Sequence, residues 1–414
     1  MKLVRIARGY AIAVAIAAAA GVATGIAMQL ALWSPDPTPD LDYYNLVFSG
    51  HGTWTVSAIG APAIAGVCGY LIVPMCIDMR RERAVMLGWM GLATWIGALI
   101  VAAFIVLVPD AWGTQPDWRM MVVRALFATS GGITAIHLTT VILFNRPRGR
   151  RPLTPLPVKP SVAAGSSILS AASSSVAAFA RGFTIETTSA WAIVIATAGA
   201  TIAEIPSPSL GFQLAVVIPS IAVTAKLARD AVHRPPAGLV VAAYAGMVWW
   251  ALAGGGPGLF AILVVWVWLS VGREWARPAA TYACLGMIPC LILATGTSAI
   301  EPDSFLRDTY YATGHAHFVF ASIGLAMLAV LSPRTKLASG AAVLVCVMLI
   351  IHAAAMLWLG SNGMPRRYAS YDTSIFTTGF HYTAIAAIGA AAGLVLAVRA
   401  VISCPPWLER SSSS

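Results

Sequence analysis

Charge is what this 414-residue chain has least of. Lys and Arg number 26 and Asp and Glu 16, so charged residues make up 10% of the chain, against about 25% in soluble domains. With 58% hydrophobic residues, that scarcity excludes a soluble globular domain and indicates a polytopic membrane protein. Cysteine is sparse too. Cys68, Cys76, Cys284, Cys290, Cys346 and Cys404 form no CxxC pair and mostly lie in apolar runs. No disulfide framework is expected, and they read as small core residues. No cleavable leader is expected either. The first apolar run, from Tyr10 to Trp33, is long enough to span and lacks a convincing cleavage site. The net charge of +10 does not point to nucleic acid. It follows from topology, because cytoplasmic loops of membrane proteins collect Lys and Arg.

A bilayer-spanning helix needs about 20 apolar residues. On that basis the sequence predicts about twelve spans, at 9–33, 48–76, 85–109, 120–145, 187–205, 209–228, 237–254, 257–273, 278–297, 310–332, 337–360 and 376–401. The expected fold is an all-α membrane helical bundle forming a single domain over 1–405. Residues 146–186 are read as a cytoplasmic loop within it. Their Ala- and Ser-rich part, 161–181, is weakly hydrophobic, with an interfacial helix as the alternative. Residues 406–414 are read as a disordered tail.

Basic residues set the orientation. Lys2, Arg5 and Arg8 precede the first span, and Asp36, Asp40 and Asp42 follow it. Even-numbered spans end at basic loops: Arg80, Arg81 and Arg83; Arg146, Arg148, Arg150 and Arg151; Arg229 and Arg234; Arg273 and Arg277; Arg334 and Lys336. Both termini are therefore expected in the cytoplasm, in a bacterial inner membrane. Arg366 and Arg367 break the trend on the outer side. They are either an ordinary solvated pair or a guanidinium site for carboxylates or phosphates.

Ionisable side chains at membrane depth are functional candidates. His315 and His317 open the tenth span and His51 the second, all at the outer face. Residues two apart on a helix point about 200° apart, so His315 and His317 can hold different partners on opposite faces, or be two polar residues capping a helix mouth. His51 and one of the pair can meet in the outer half of the bilayer. Two imidazoles with Arg366 and Arg367 for two propionates outline a haem site. His137 reads as a buried histidine satisfied by a helix carbonyl, His233 as solvated, and His352 as an interhelical hydrogen-bonding residue. His381, on the outer side, is a weaker candidate for contact with a haem edge or propionate.

The stretch Leu306-Arg307-Asp308-Thr309-Tyr310-Tyr311, followed by His315 and His317, resembles the tenth-helix motif of haem-copper oxidase subunit I. Gly363-Met364-Pro365-Arg366-Arg367-Tyr368 resembles that family's loop between helices eleven and twelve. Tyr44-Asn45 with His51-Gly52 resembles the entry to its second helix, and Gly69-Tyr70-Leu71-Ile72-Val73-Pro74 the end of it. The likeness covers roughly 40–150 and 300–400. It implies the family's twelve-helix fold. It also implies that His51 and His317 are the axial ligands of a low-spin haem, of type a or b. His315 would be the ligand of a second haem, a point left open. Arg366 and Arg367 would pair with haem propionates, with Asp308 close by. Other respiratory oxidase subunits, the lipid bilayer, and cytochrome c or a quinol as electron donor are the implied partners.

The middle of the chain departs from the family. Its sixth-helix His-Pro-Glu-Val-Tyr motif is missing, and Leu210-Gly211-Phe212 stand in its place. The seventh helix lacks the family's adjacent histidines, and Trp249-Trp250 take their register. Indoles only donate, so they cannot replace imidazole ligands. His137, His233, His352 and His381 are too scattered to converge on one copper. Copper is not expected. Glu204 and Lys226 lie at helix ends, Arg307 replaces a histidine beside Asp308, and Gln29 sits where many members have an arginine near the low-spin haem. The expected function is electron transfer through a bis-histidine haem with the oxygen-reducing centre lost. The alternatives are a working terminal oxidase with an atypical centre and a non-catalytic subunit or assembly paralogue without haem.

Overall fold

The computed structural model describes residues 2–33, 41–58, 60–78, 84–107, 117–147, 185–204, 206, 208–230, 240, 244–245, 306, 308–331, 335–365 and 374–403. Ten helices fill them. They are α1 (Lys2–Ala31), α2 (Leu41–Ala58), α3 (Ala61–Cys76), α4 (Val85–Leu107), α5 (Asp117–Leu143), α6 (Ile185–Glu204), α7 (Pro208–Asp230), α8 (Tyr310–Leu331), α9 (Lys336–Ser361) and α10 (Ser374–Ser403). Among the described residues six helices are long and apolar enough to cross a membrane, namely α1, α4, α5, α8, α9 and α10. Pro62–Cys76 and Val217–Lys226 are shorter apolar helical stretches. The described residues are thus almost wholly helical, and the chain is an integral membrane protein. The expected spans at 257–273 and 278–297, and nearly all of 237–254, lie outside the described residues, as does most of the 146–186 loop and all of the 406–414 tail.

The second span corrects the sequence reading. A single helix over 48–76 is expected, but the chain forms α2 and α3 with a break at Gly60. Gly60 is extended (φ −65°, ψ 159°) and caps α3, whose second residue is Pro62. Proline lacks an N–H and disfavours helix in the residue before it, so it suits a helix start and interrupts a helix running through.

Neighbouring described helices close a circuit: α8, α9, α10, α1, α4, α5, α6, α7 and back to α8. Inside it runs α3, packed on α1, α5, α6 and α7. Its Ala63, Ile64, Val67, Tyr70, Ile72 and Val73 are all buried. The segments leaving α3 and α5 pair as two-residue strands, Ile77–Asp78 with Arg146–Pro147. At the opposite end Thr309 bridges Pro365, and the Tyr310 N–H donates to the Met364 carbonyl at 2.9 Å.

Many hydroxyl groups are satisfied on their own helices, as a membrane favours, although the Oγ1 atoms of Thr188 and Thr224 are buried without a partner among the described residues. Thr24, Thr94, Thr129, Thr139, Thr140, Thr197 and Thr201 each donate to the carbonyl one turn back. Thr335 caps α9 by accepting from the Ala338 N–H at 3.1 Å. Gly363, at φ 84°, ends the same helix in the left-handed conformation that glycine alone adopts freely. Lys226 on α7 is buried and donates to the Ala329 carbonyl (2.7 Å) and to that of Val330. A cation thus meets the negative end of α8.

Candidate haem-ligating site

The site is built on α1, α2, α8, α9 and α10. On α1, Gly21, Gly25 and Gln29 recur every four residues and share one face. A methyl group at Gly21 would sit 2.8 Å from Thr55 Oγ1, and one at Gly25 would sit 2.7 Å from His51 Nδ1. Small residues at this spacing let α2 approach closely. The approach sets His51 Nδ1–H against the Gly21 carbonyl at 2.7 Å.

His317 is held from its own helix, where Nδ1–H donates to the Thr313 carbonyl at 2.7 Å. Its helix approaches α9 through glycines. A methyl at Gly314 would lie 2.7 Å from the Leu357 nitrogen, and one at Gly360 would run into the Tyr311 backbone nitrogen.

The rings of His51 and His317 have centres 6.1 Å apart and planes within 12° of each other. An imidazole nitrogen lies about 1.1 Å from its ring centre and binds a metal at about 2.0 Å, so two rings whose Nε2 atoms both point at one metal between them have centres about 6.2 Å apart. In both residues Nδ1 is occupied by a backbone carbonyl. That fixes the tautomer and leaves Nε2 as the metal-binding nitrogen.

His352 on α9 is buried and lies edge-on to His317, with ring centres 5.0 Å apart and planes at 60°. Its Nδ1–H donates to the Thr383 carbonyl on α10 at 2.9 Å. The Thr383 hydroxyl in turn reaches Gln29 Oε1 at 2.5 Å, sharing its hydrogen with the Phe380 carbonyl at 2.8 Å. Gln29 is only 1% exposed, and its Nε2 has no hydrogen-bond partner among the described residues. An unpaired buried amide donor costs about 1–3 kcal/mol, so Gln29 suits a site that holds a polar group.

Met28, Leu32, Val47, Tyr310, Met356, Leu359, Met364 and Phe380 form a separate buried cluster on the same helices. Tyr310 and Phe380 meet edge to face with centres 5.4 Å apart. Paired imidazoles, an orphan amide donor and an apolar surround are a donor set that fits a low-spin haem.

The other predicted residues fall as follows. His315 is half-buried near the start of α8, and Asp308 is exposed in the turn before it. Thr309 caps that helix, its Oγ1 accepting from the Tyr311 N–H at 3.2 Å. Arg366 and Arg367 directly follow Pro365, the residue bridged to Thr309. Both arginines lie outside the described residues, as do Trp249 and Trp250. His352 makes the interhelical hydrogen bond expected of it. His137 is buried as expected, and its Nδ1 pairs with the Tyr70 hydroxyl at 3.0 Å. His381 stacks on Trp33 at 4.1 Å between centres, and its Nε2 lies 3.2 Å from the Trp33 carbonyl. Sequence reasoning missed the Gly21/Gly25 seat for His51 and the placement of His352 beside His317. The small-residue repeat was a usable signal for the first.

No protein-family model matches the chain. A curated relative, cytochrome c oxidase polypeptide 1 of Halobacterium salinarum, is 38% identical over 106 residues. The match covers 21% of this chain and 17% of that protein. The chain therefore matches less than a fifth of its relative's length, and the likeness supports a distant relationship to haem-copper oxidase subunit I.

Proposed function

We propose that this chain is a membrane haem protein related to cytochrome c oxidase subunit I. In it His51 and His317 hold one low-spin haem for electron transfer, and the oxygen-reducing copper centre is lost. The observation that carries the reading is the pair of near-parallel imidazoles, 6.1 Å apart, with both Nδ1 atoms already committed. A bound haem supplies a one-electron couple whose potential depends on axial ligands and surroundings. The protein's part is orientation and dielectric. The carbonyls of Gly21 and Thr313 make the two imidazoles stronger ligands. Gln29 offers its free amide donor to a polar group at the site. The apolar cluster around Tyr310 and Phe380 keeps water away.

In this reading Arg366 and Arg367 pair with the propionates beside Asp308, and Trp249 and Trp250 occupy the register of the lost copper ligands. The haem is of type a or b, and His315 offers a ligand to a second one. The chain works in a bacterial inner membrane with both termini in the cytoplasm, beside other oxidase-type subunits. Cytochrome c or a quinol is the electron donor. The reduced-minus-oxidised spectrum of the purified protein tests the ligand assignment. A sharp low-spin band is expected, and His51→Ala abolishes it. Persistence of the band in that variant refutes the assignment.

A further inference from the structure

We propose that His352 is a positioning residue that holds the His317 ring parallel to the His51 ring and so sets the electronic symmetry of the bound iron. The proposal rests on the bis-histidine reading above. His317's own hydrogen bond is to Thr313, one turn back on the same helix. That bond ties the ring to α8 and to nothing else. The reference to the rest of the bundle comes through His352, whose edge stands against the ring at 60° with centres 5.0 Å apart. His352 is itself tied to α10 by the Thr383 carbonyl, and Thr383 to α1 by Gln29. His51 is tied to α1 as well, through the Gly21 carbonyl and the seat at Gly25. Both rings are therefore oriented against the same helix by two short chains of contacts. The result is the 12° angle between their planes.

That angle matters because axial imidazoles donate through their π systems. Parallel planes split the two iron d orbitals that receive this donation. Perpendicular planes make the two orbitals nearly equivalent. In the ferric protein the first case gives a rhombic electron paramagnetic resonance signal with three resolved g values. The second gives one strongly shifted low-field feature.

Low-temperature spectra of the oxidised, purified wild type, His352→Ala and His352→Phe test the proposal. The wild type is expected to give the rhombic signal, and His352→Ala to lose it in favour of the low-field feature. His352→Phe keeps an aromatic edge against His317 without the bond to Thr383, and that edge is expected to restore the rhombic signal. A rhombic signal unchanged in His352→Ala overturns the proposal while leaving the bis-histidine reading intact. A low-field feature already present in the wild type does the same. If His352→Ala loses its haem, His352→Phe decides. A rhombic signal there supports the role, and a low-field one refutes it. A wild type with no low-spin signal fails the bis-histidine reading itself, and the proposal falls with it.

Discussion

Gly25→Ala is the smallest change that reaches the site. The added methyl would stand 2.7 Å from His51 Nδ1 and 2.8 Å from Cε1. Ordinary contact is about 3.5 Å, so the ring must withdraw by about 0.8 Å. Moving away from α1 lengthens its bond to the Gly21 carbonyl from 2.7 Å to about 3.5 Å, where it no longer counts as one. The lost bond costs about 0.5–1.5 kcal/mol and the overpacking about 1–3 kcal/mol. Alanine's better helix propensity returns about 1 kcal/mol. The net cost is about 0.5–3.5 kcal/mol, equivalent to a loss of affinity between about a factor of 2 and about a factor of 300. Metal-ligand distances tolerate shifts of about 0.2 Å, so the cost falls on haem binding. The assay is haem content and low-spin band height at equal membrane-protein yield, with Gly52→Ala as the control. Gly52 adjoins His51 in sequence but faces open space, and its variant should match wild type. A Gly25→Ala protein with full haem and an unshifted band refutes the assignment of His51.

Two further substitutions test the frame that carries the site. Gly360→Ala drives a methyl into the Tyr311 backbone and should cost about 3 kcal/mol. Reduced thermal stability in detergent and loss of haem are expected, whereas Gly340→Ala, in open space on the same helix, should be neutral. Lys226→Met removes the cation from the last turn of α8 and leaves the Ala329 and Val330 carbonyls without it. It should lower stability by about 2 kcal/mol in the same melt, without shifting the haem band.

Much of the helical layout was legible in the sequence because span length is a strong signal. The expected 85–109, 120–145, 187–205, 310–332, 337–360 and 376–401 spans match α4, α5, α6, α8, α9 and α10 to within a few residues. His51 and His317 stood out because few ionisable groups occupy membrane depth, and the structure brings their rings together. The break at Gly60 was written in Gly60-Ala61-Pro62, but the apolar run on both sides masked it. His352 is different. The eleventh span is apolar on every face, so no periodicity shows which way residue 352 turns. Its position beside His317 depends on the close α8–α9 crossing at Gly314 and Gly360, which only three dimensions reveal. The hydroxyl partner of His137 was not legible either, because it depends on α3 running through the centre and presenting Tyr70.

The central claim joins a retained low-spin haem to a lost copper centre, and metal stoichiometry tests both halves at once. Haem, total iron and copper are to be measured per chain in the purified protein and in His51→Ala. The account predicts haem in the wild type, its loss from the variant, and no copper above background in either. Copper at one equivalent per chain, together with oxygen consumption, contradicts it.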